Sequence, residues 1–252
     1  MRRELSEKEI LDTVRDIRHE APGIGAYKLY LMLKELYPDG MRGRDWFYGL
    51  MHESHLMLKL GKRRHTTSSN HPYRKYKNMI KGLTVNRINQ LWVADITYID
   101  TDEGVAYLHL LTDAFTHEII GWVLSDSLVA SNTVTALDMG ISHVSPLGFD
   151  GLIHDSDRGV QYCCNQYIDR LQAIKATISM TEDYKPTDNA IAERVNGIIK
   201  QEWLYRMKRP PDVVVARDLL GRIIGFYNNR RPQRSNRDML PPVRFREALT
   251  CM

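Results

Sequence analysis

Apolar residues recur every three to four positions in three segments near the start of the chain. This spacing predicts three short helices, at residues 5–21, 26–36 and 42–57. The first helix begins with a capping box, in which Ser6 stands three residues before Glu9. Three short helices with a basic last helix are typical of helix-turn-helix domains, whose last helix enters a groove of DNA. Small three-helix bundles without a DNA role are equally common, so this pattern alone leaves both interpretations open.

Beyond residue 90 the hydrophobic period shortens to two, the period of strands. Three extended runs predict an antiparallel meander, at residues 91–99, 104–115 and 118–127. Helical and extended segments then alternate before two longer helical segments, at 131–144, 151–157, 165–174, 177–181, 187–204 and 212–229. This order predicts an α/β fold with a mixed five-stranded sheet and flanking helices. It is the order of an RNase H-like domain, preceded here by a small all-α helix-turn-helix domain.

Charge is distributed unevenly along the chain. The 252 residues carry a net charge of only +4, yet residues 54–94 contain nine Lys or Arg and no Asp or Glu. Tyr73 and Tyr76 lie in the same stretch. Basic groups neutralise phosphates and tyrosines stack on bases, so we interpret the stretch as a linker that contacts nucleic acid; a merely solvated linker is the alternative. The expected domains are a helix-turn-helix domain at 1–58, a basic linker at 59–88 and a catalytic domain at 89–252.

Composition argues against two classes of protein. The longest apolar runs are too short to span a membrane, so no membrane partner is expected. Three cysteines, two of them adjacent, cannot form a disulfide framework. We therefore expect a reduced, cytoplasmic protein.

Two acidic positions lie on predicted strands. Asp95 is in the middle of the apolar run WVADITYI, where a carboxylate is costly unless it is paired or binds a metal ion. The alternative is a distorted strand in which Asp95 accepts hydrogen bonds from backbone amides. Asp155 or Asp157 ends a second strand just before Gly159, and such strand ends line the functional crevice of α/β sheets.

A third acid, Glu193, lies on the predicted helix 187–204. A step of about 100° per residue places Asn189, Asn196 and Lys200 on its face, opposite an apolar stripe of Ile191, Val195 and Ile198. For an isolated helix, the alternative is that Glu193 and Lys200 are simply exposed to solvent. Three carboxylates from two strands and a helix suit Mg²⁺, which prefers oxygen ligands, and two such ions support phosphoryl transfer without a nucleophilic side chain.

These residues resemble the motifs of DDE transposases of the insertion-sequence-3 family, specifically the protein of their second reading frame. The resemblance covers nearly the whole chain: WVADITYI matches the first motif, DSDRGVQY the second, and residues 188–200 the third. The 35 residues between Asp157 and Glu193 match the spacing of the superfamily. The resemblance implies that Asp95, Asp157 and Glu193 are the catalytic metal ligands. Asp155 replaces a histidine; we expect it to face solvent, the alternative being that it assists a metal ion through water.

The resemblance also implies an activity, a cofactor and partners. The protein is expected to cleave one DNA strand at the ends of an insertion element and to transfer the freed 3′-hydroxyl to a second phosphodiester. Two Mg²⁺ ions are the implied cofactor, with Mn²⁺ as a substitute. The implied partners are the terminal inverted repeats, target DNA, at least a second copy of the chain on DNA, and a fusion with an upstream reading-frame product.

Supporting and DNA-contacting residues follow from the same resemblance and from charge. Lys200 is expected to position the terminal DNA, with Asn189 and Asn196 supporting this face. The other expected DNA contacts are Arg42, Arg44, Lys62, Arg63, Arg64, Arg74, Lys75, Arg158, Arg230 and Arg231. The last two lie in YNNRRPQ, residues 227–233, which corresponds to the family's C-terminal motif with Gln233 in place of histidine.

Two other functions stay open at this point. One is an integrase of another mobile element, although a retroviral His-His-Cys-Cys zinc module is not found. The other is a catalytically silent DNA-binding protein that regulates an intact element. Among neighbouring residues, we expect Trp92 in the core and Asp113 in a structural role, and His154 in either packing or DNA contact.

Overall fold

A computed structural model describes residues 5–58, 73–144, 147–181 and 190–250 of the protein. The helices are α1 Glu7–Glu20, α2 Ala26–Leu36, α3 Arg44–Glu53, α4 Ala130–Val144, α5 Val160–Cys163, α6 Asn165–Ala173, α7 Ala190–Glu202, α8 Val213–Asn229 and α9 Pro242–Thr250. The strands are β1 Leu91–Thr101, β2 Gly104–Asp113, β3 Ile119–Ser125, β4 Ile153–Ser156 and β5 Thr177–Met180. Every segment predicted from hydrophobic spacing forms, with shifted ends. Helices α5 and α9 are additional to the prediction.

The five strands form one sheet in the order β3-β2-β1-β4-β5. The first three strands in the chain pair antiparallel, whereas β4 is parallel to β1 and β5 is parallel to β4. Parallel neighbours need crossover connections, which α4 to α6 provide. The mixed five-stranded sheet with flanking helices is therefore confirmed, and the fold class is RNase H-like.

Successive side chains of β1 point to opposite faces of the sheet. Trp92 and Ala94 pack in a core with side chains of α4, α5 and α6, and Trp92 is fully buried as expected. Leu91 and Val93 point to the other face, where Ala192 of α7 packs in the same cluster. Side chains two residues further along this face therefore lie under α7.

The three N-terminal helices share a hydrophobic core with α7 and α8. The capping box of α1 is present: the Glu9 amide donates to Ser6 Oγ at 3.3 Å, and the Ser6 amide donates to Glu9 Oε2 at 2.9 Å. Phe47 of α3, Trp203 after α7 and Phe226 of α8 belong to one cluster of buried side chains. The domain boundaries expected at residues 58 and 88 stay predictions.

The second part of the expected linker lies on the sheet. The Met79 amide donates to Ser179 Oγ at 2.8 Å, and the Met180 amide donates to the carbonyl oxygen of Lys77 at 3.4 Å. Apolar side chains between residues 80 and 85 pack into the cluster under α7. This part of the chain therefore covers β5, the last strand at that side of the sheet.

Helix α9 is anchored to the sheet by a buried ion pair. Glu118, which is 1% exposed just before β3, accepts a hydrogen bond from Arg246 of α9 and contacts His143 Nε2 at 2.7 Å. This pairing depends on residues far apart in the chain, which is why hydrophobic spacing alone did not indicate it. No helix within the described ranges is long and apolar enough to cross a membrane.

Strand β3 and helix α4 lie very close together at Gly121. A Cβ on Gly121 would lie 2.0 Å from the carbonyl oxygen of Ala136. We expect Gly121→Ala to lower the free energy of unfolding by about 2–3 kcal/mol, because backbone atoms must move apart. Urea denaturation measures this, with Gly225→Ala as the control: that Cβ meets nothing within 4 Å and should stabilise α8 by up to ~1 kcal/mol. Unchanged stability of Gly121→Ala would contradict the packing described.

Candidate active site

Asp95 lies in the middle of β1, on the face covered by α7, and is partly buried. Its Oδ1 accepts a hydrogen bond from the Ile96 amide at 2.9 Å, and its Oδ2 accepts one from Asn196 Nδ2 at 2.7 Å. Burial raises the pKa of Asp95 to about 7; the charges of Asp157 and Glu193 add to this, while the two hydrogen bonds oppose it. Asp95 is therefore a desolvated carboxylate beside two other acids.

Strand register brings Asp157 next to Asp95. In the parallel β1–β4 pairing, Val93 lies opposite Asp155, two residues before Asp95 and Asp157 respectively. The charge of Asp157 raises the pKa of Asp95, which agrees with the two carboxylates lying close together. The chain turns immediately after β4, and Asp157 Oδ1 accepts a hydrogen bond from the Gly159 amide at 2.9 Å. A Cβ on Gly159 would also lie 2.9 Å from this oxygen, so glycine is what allows the carboxylate to sit there.

Helix α7 supplies the third acid and two further polar side chains. Glu193 is exposed in its first turn, Asn196 is 6% exposed, and Lys200 is partly buried. Burial lowers the pKa of Lys200, and the charges of Asp95 and Asp100 oppose this shift. Asn196 and Lys200 both interact with Asp95, whereas Glu193 on the same predicted face is exposed.

The apolar side of α7 differs slightly from the prediction. Val195 is fully buried as expected, but Ile191 and Ile198 are only partly buried. The deepest apolar positions are Ala192, Val195 and Ile199. The helix is therefore rotated relative to the ideal wheel, which turns Asn196 from the exposed face toward Asp95. Asn189 lies outside the described residues.

Oxygen atoms around Asp95 have the chemistry that a hard divalent cation requires. The carboxylates of Asp95 and Asp157 are neighbours, and Asn196 Oδ1 is buried with no hydrogen-bond partner among the described residues. Within those residues, no three His, Cys, Asp or Glu side chains already form a group that could hold a metal ion. The carboxylate and amide oxygens are of the kind that binds a divalent metal ion, and Glu193, on α7 nearby, is exposed to solvent.

Basic side chains border the Asp157 end of this cleft. Burial raises the pKa of the Cys163 thiol to about 11; the charge of Asp157 adds to this, and the charges of Lys75 and Arg158 oppose it. All three charged groups must therefore lie near Cys163. Lys75 is exposed, and Arg158, the residue after Asp157, is partly buried.

The other expected DNA contacts lie at several places. The Arg42 guanidinium stacks over Trp46 at 4.6 Å from the ring centroid, and Arg74 over Tyr76 at 5.0 Å. Arg44 is exposed at the start of α3 beside Asp45. The exposed Arg230 pairs with Glu20 Oε2 at 2.5 Å. Lys62, Arg63 and Arg64 lie outside the described residues.

Two expectations about charged residues are wrong. Arg231 is 3% exposed, and its Nε and Nη2 donate to Glu202 at 2.8 and 2.9 Å, so its guanidinium is committed to an internal ion pair rather than to DNA. Asp155 is fully buried instead of facing solvent. Both positions were read from local sequence, whereas their burial depends on segments that arrive from elsewhere in the chain.

Two neighbouring residues can now be assigned. Asp113 is structural: its Oδ2 accepts from the Asn89 amide and its Oδ1 from the Thr116 amide, both at 2.8 Å. His154 packs in the core with Nε2 2.8 Å from the Tyr167 hydroxyl, and burial lowers its pKa to about 3. It therefore stays neutral and does not face the cleft.

Sequence reasoning missed Tyr162, the last residue of DSDRGVQY. Its hydroxyl is buried without a hydrogen-bond partner among the described residues, and burial raises its pKa well above the usual value, with added effects of Asp157 and Asp95. The hydroxyl must therefore lie near both carboxylates. The signal that could have identified Tyr162 is its position in the same motif as Asp157.

The ionised form of Asp95 destabilises the metal-free fold. Its pKa of about 7 exceeds the ordinary 3.8, so the folded state holds the proton more tightly and loses stability as pH rises between these values. We expect metal-free Asp95→Asn to exceed wild type in unfolding free energy by roughly 1–3 kcal/mol above about pH 7, and not near pH 4. Thermal melts across pH measure this. The exposed Asp169→Asn is the control, and a pH-independent difference would contradict the prediction.

Comparison with known proteins agrees with this geometry. Two integrase core domain models match residues 85–186 and 174–242. An insertion element IS600 protein of 31 kDa from Shigella sonnei is 33% identical over 81% of this chain and 75% of its own length. The IS904 transposase of Lactococcus lactis is 29% identical over 89% of each chain, and the IS3 transposase InsF of Escherichia coli is 33% identical over 46% of this chain and 40% of its own. The chain therefore belongs to the insertion-sequence transposases, enzymes with an integrase core domain.

Proposed function

We propose that this transposase cleaves one DNA strand at each end of its insertion element and joins the freed 3′-hydroxyl to target DNA. The observation that carries the proposal is the register that sets Asp157 beside Asp95, under the helix that bears Glu193. Integrase core domains use divalent metal ions. Asp95, Asp157 and Glu193 would hold two Mg²⁺ ions, for which Mn²⁺ substitutes. Such ions activate the attacking oxygen and stabilise the leaving oxygen.

The chain's own residues prepare the site. Asn196 holds Asp95 by its amide nitrogen, and its buried amide oxygen has no hydrogen-bond partner among the described residues. The carboxylate of Asp95 must be ionised to bind a cation, so its raised pKa couples metal binding to proton release. Glu193 completes the ligand set when its exposed side chain turns inward from the first turn of α7.

Phosphates are bound by the cations around the cleft. Lys200 lies near Asp95 and would hold the phosphate of the terminal nucleotide, while Lys75 and Arg158 flank the strand beside Asp157. Arg42 and Arg44 on α3, together with Arg74 and Arg230, would contact the duplex farther away. Each phosphate contact releases counterions, so binding should weaken steeply with salt. Both element ends must meet, which favours at least two copies on DNA.

The decisive experiment is strand transfer with Glu193→Gln. Full-length protein, alone and fused to any upstream reading-frame product, is mixed with labelled duplexes that end in the flanking inverted repeat. We expect wild type to join strands with Mg²⁺ and not with EDTA. Residues that only support metal ligands cost about 10–100-fold when changed, so Glu193→Gln should reduce joining by more than about 100-fold.

Matched controls separate chemistry from folding and binding. Glu247→Gln, an exposed acid on α9, should join strands like wild type. Glu193→Gln should still bind the duplex in a gel-shift assay. If wild type binds the repeats without nicking or joining in fused and unfused forms, the catalytically silent regulator is the better description.

A second prediction tests the turn that carries Asp157. Gly159→Ala would push the Asp157 carboxylate, because the new Cβ lies 2.9 Å from Oδ1. Misplacement by about 1 Å can cost about 100-fold, so we expect a 10- to 100-fold slower joining rate with little change in melting temperature. Gly197→Ala on α7 has open space around its Cβ and should retain the rate. A wild-type rate for Gly159→Ala would argue against Asp157 as a ligand.

A further inference from the structure

Two cations from distant parts of the chain bind the last residue of α7, Glu202. Glu202 accepts a hydrogen bond from Lys28 Nζ of α2 at 2.7 Å. It also accepts two from Arg231, Nε at 2.8 Å and Nη2 at 2.9 Å. The side chains of Lys28 and Glu202 are 19% and 14% exposed, and that of Arg231 only 4%. We call this group the Glu202 clamp.

The Arg231 side of the clamp is built by the segment YNNRRPQ. Gln233 Oε1 accepts from Arg231 Nη1 at 2.7 Å, which leaves the guanidinium little freedom. The Tyr227 hydroxyl donates to the carbonyl oxygen of His117 at 3.0 Å, and Arg231 lies over the Tyr227 ring at 5.4 Å. The segment therefore connects the turn before β3 to the end of α7.

Asn228 attaches the same segment to the sheet itself. Its Oδ1 accepts from the Ile119 amide at 3.0 Å, and its Nδ2 donates to the Ile119 carbonyl oxygen at 2.9 Å. The side chain thus pairs with strand β3 as a neighbouring strand would. The anchor of the clamp is the rigid sheet that carries Asp95.

The Lys28 side of the clamp belongs to the N-terminal helices. The Gly23 amide donates to the Glu202 carbonyl oxygen at 2.6 Å, and a Cβ on Gly23 would lie 2.4 Å from Glu202 Cα. Trp203 Nε1 donates to the carbonyl oxygen of Glu20 at 2.8 Å, with the indole fully buried. The end of α7 is thus held between the sheet and the helices expected to bind DNA.

Charge balance keeps Glu202 ionised. Burial by itself raises the pKa of Glu202, but the hydrogen bonds and charges of Arg231 and Lys28 bring it below the usual value. A buried ion pair adds little net stability, because desolvation offsets attraction, whereas a bidentate Arg–carboxylate pair is strongly directional. The clamp therefore fixes orientation more than it adds stability.

We infer that Glu202 is a positioning residue: held by Lys28 and Arg231, it fixes the axis of α7 and so the place of the carboxylate nine residues earlier. Nine residues of helix span about 14 Å, so a small tilt at Glu202 displaces Glu193 appreciably. The inference rests on the proposed role of Glu193 as a metal ligand. It also connects DNA binding by the N-terminal helices to the metal site, since Lys28 belongs to α2.

The test compares Glu202→Gln with Glu118→Gln in the full-length protein. Glu118 also forms a buried ion pair, with Arg246, but it is not on α7. Both variants should lose thermal stability. Only Glu202→Gln should weaken Mn²⁺ binding, by about tenfold, as measured by electron paramagnetic resonance of free Mn²⁺. It should also raise the Mg²⁺ concentration for half-maximal joining by a similar factor.

Lys28→Met serves as a second variant if Glu202→Gln does not fold, because it removes one ion pair of Glu202. Lys28→Arg keeps the charge and should have wild-type metal affinity.

The possible results separate the inference from the proposed function. If Glu202→Gln, or Lys28→Met in its place, binds Mn²⁺ within twofold of Glu118→Gln, the clamp is only structural and the inference is wrong. If Glu193→Gln itself binds Mn²⁺ and joins strands like wild type, the proposed ligand set is wrong and the inference falls with it. A tenfold loss confined to the clamp variants and Glu193→Gln supports both.

Discussion

The parallel pairing of β1 with β4 is the constraint on which the site depends. It aligns Val93 with Asp155, and the chain leaves the sheet just after, so that Asp157 comes to lie beside Asp95. The negative charges of these two carboxylates repel each other, and Glu193 on α7 adds a third. The sheet, held together by backbone hydrogen bonds and two apolar cores, keeps this unfavourable arrangement in place. A site for a divalent cation is the natural outcome of such crowding.

Much of this arrangement could be predicted from local sequence. Asp95 stands out because an acid interrupts an apolar strand, and Asp155 or Asp157 because a glycine soon after marks a turn. The choice of Asp157 and the pairing with Glu193 follow from the spacing of the transposases that the motifs resemble. The order of strands and helices along the chain, and with it the mixed sheet, follows from the alternation of hydrophobic periods. These features are local, and local propensity and periodicity report them well.

What could not be predicted depends on contacts between distant segments. Arg231 reads as a surface cation until Glu202 is placed against it, 29 positions earlier in the chain. Asp155 is expected to face solvent from local sequence, but β4 lies between β1 and β5 in the sheet and Asp155 is fully buried there. Asn196 faces Asp95 because α7 packs on the sheet in a slightly different rotation from the one that its apolar stripe predicts. This rotation is set by the contacts of α7 with the rest of the fold. Burial of a charge is a property of the whole fold.

The pairing of Asn228 with both backbone groups of Ile119 has a consequence for solubility. A strand at the border of a sheet exposes unpaired amides and carbonyls, which invite another polypeptide to add itself and start aggregation. Asn228 occupies those groups at the start of β3, and Arg217 donates to the carbonyl oxygen of Leu124 near its end. Residues 77–79 do the same for β5 on the opposite side. If several copies assemble on one DNA, as proposed, this cover protects them from edge-to-edge pairing of their sheets.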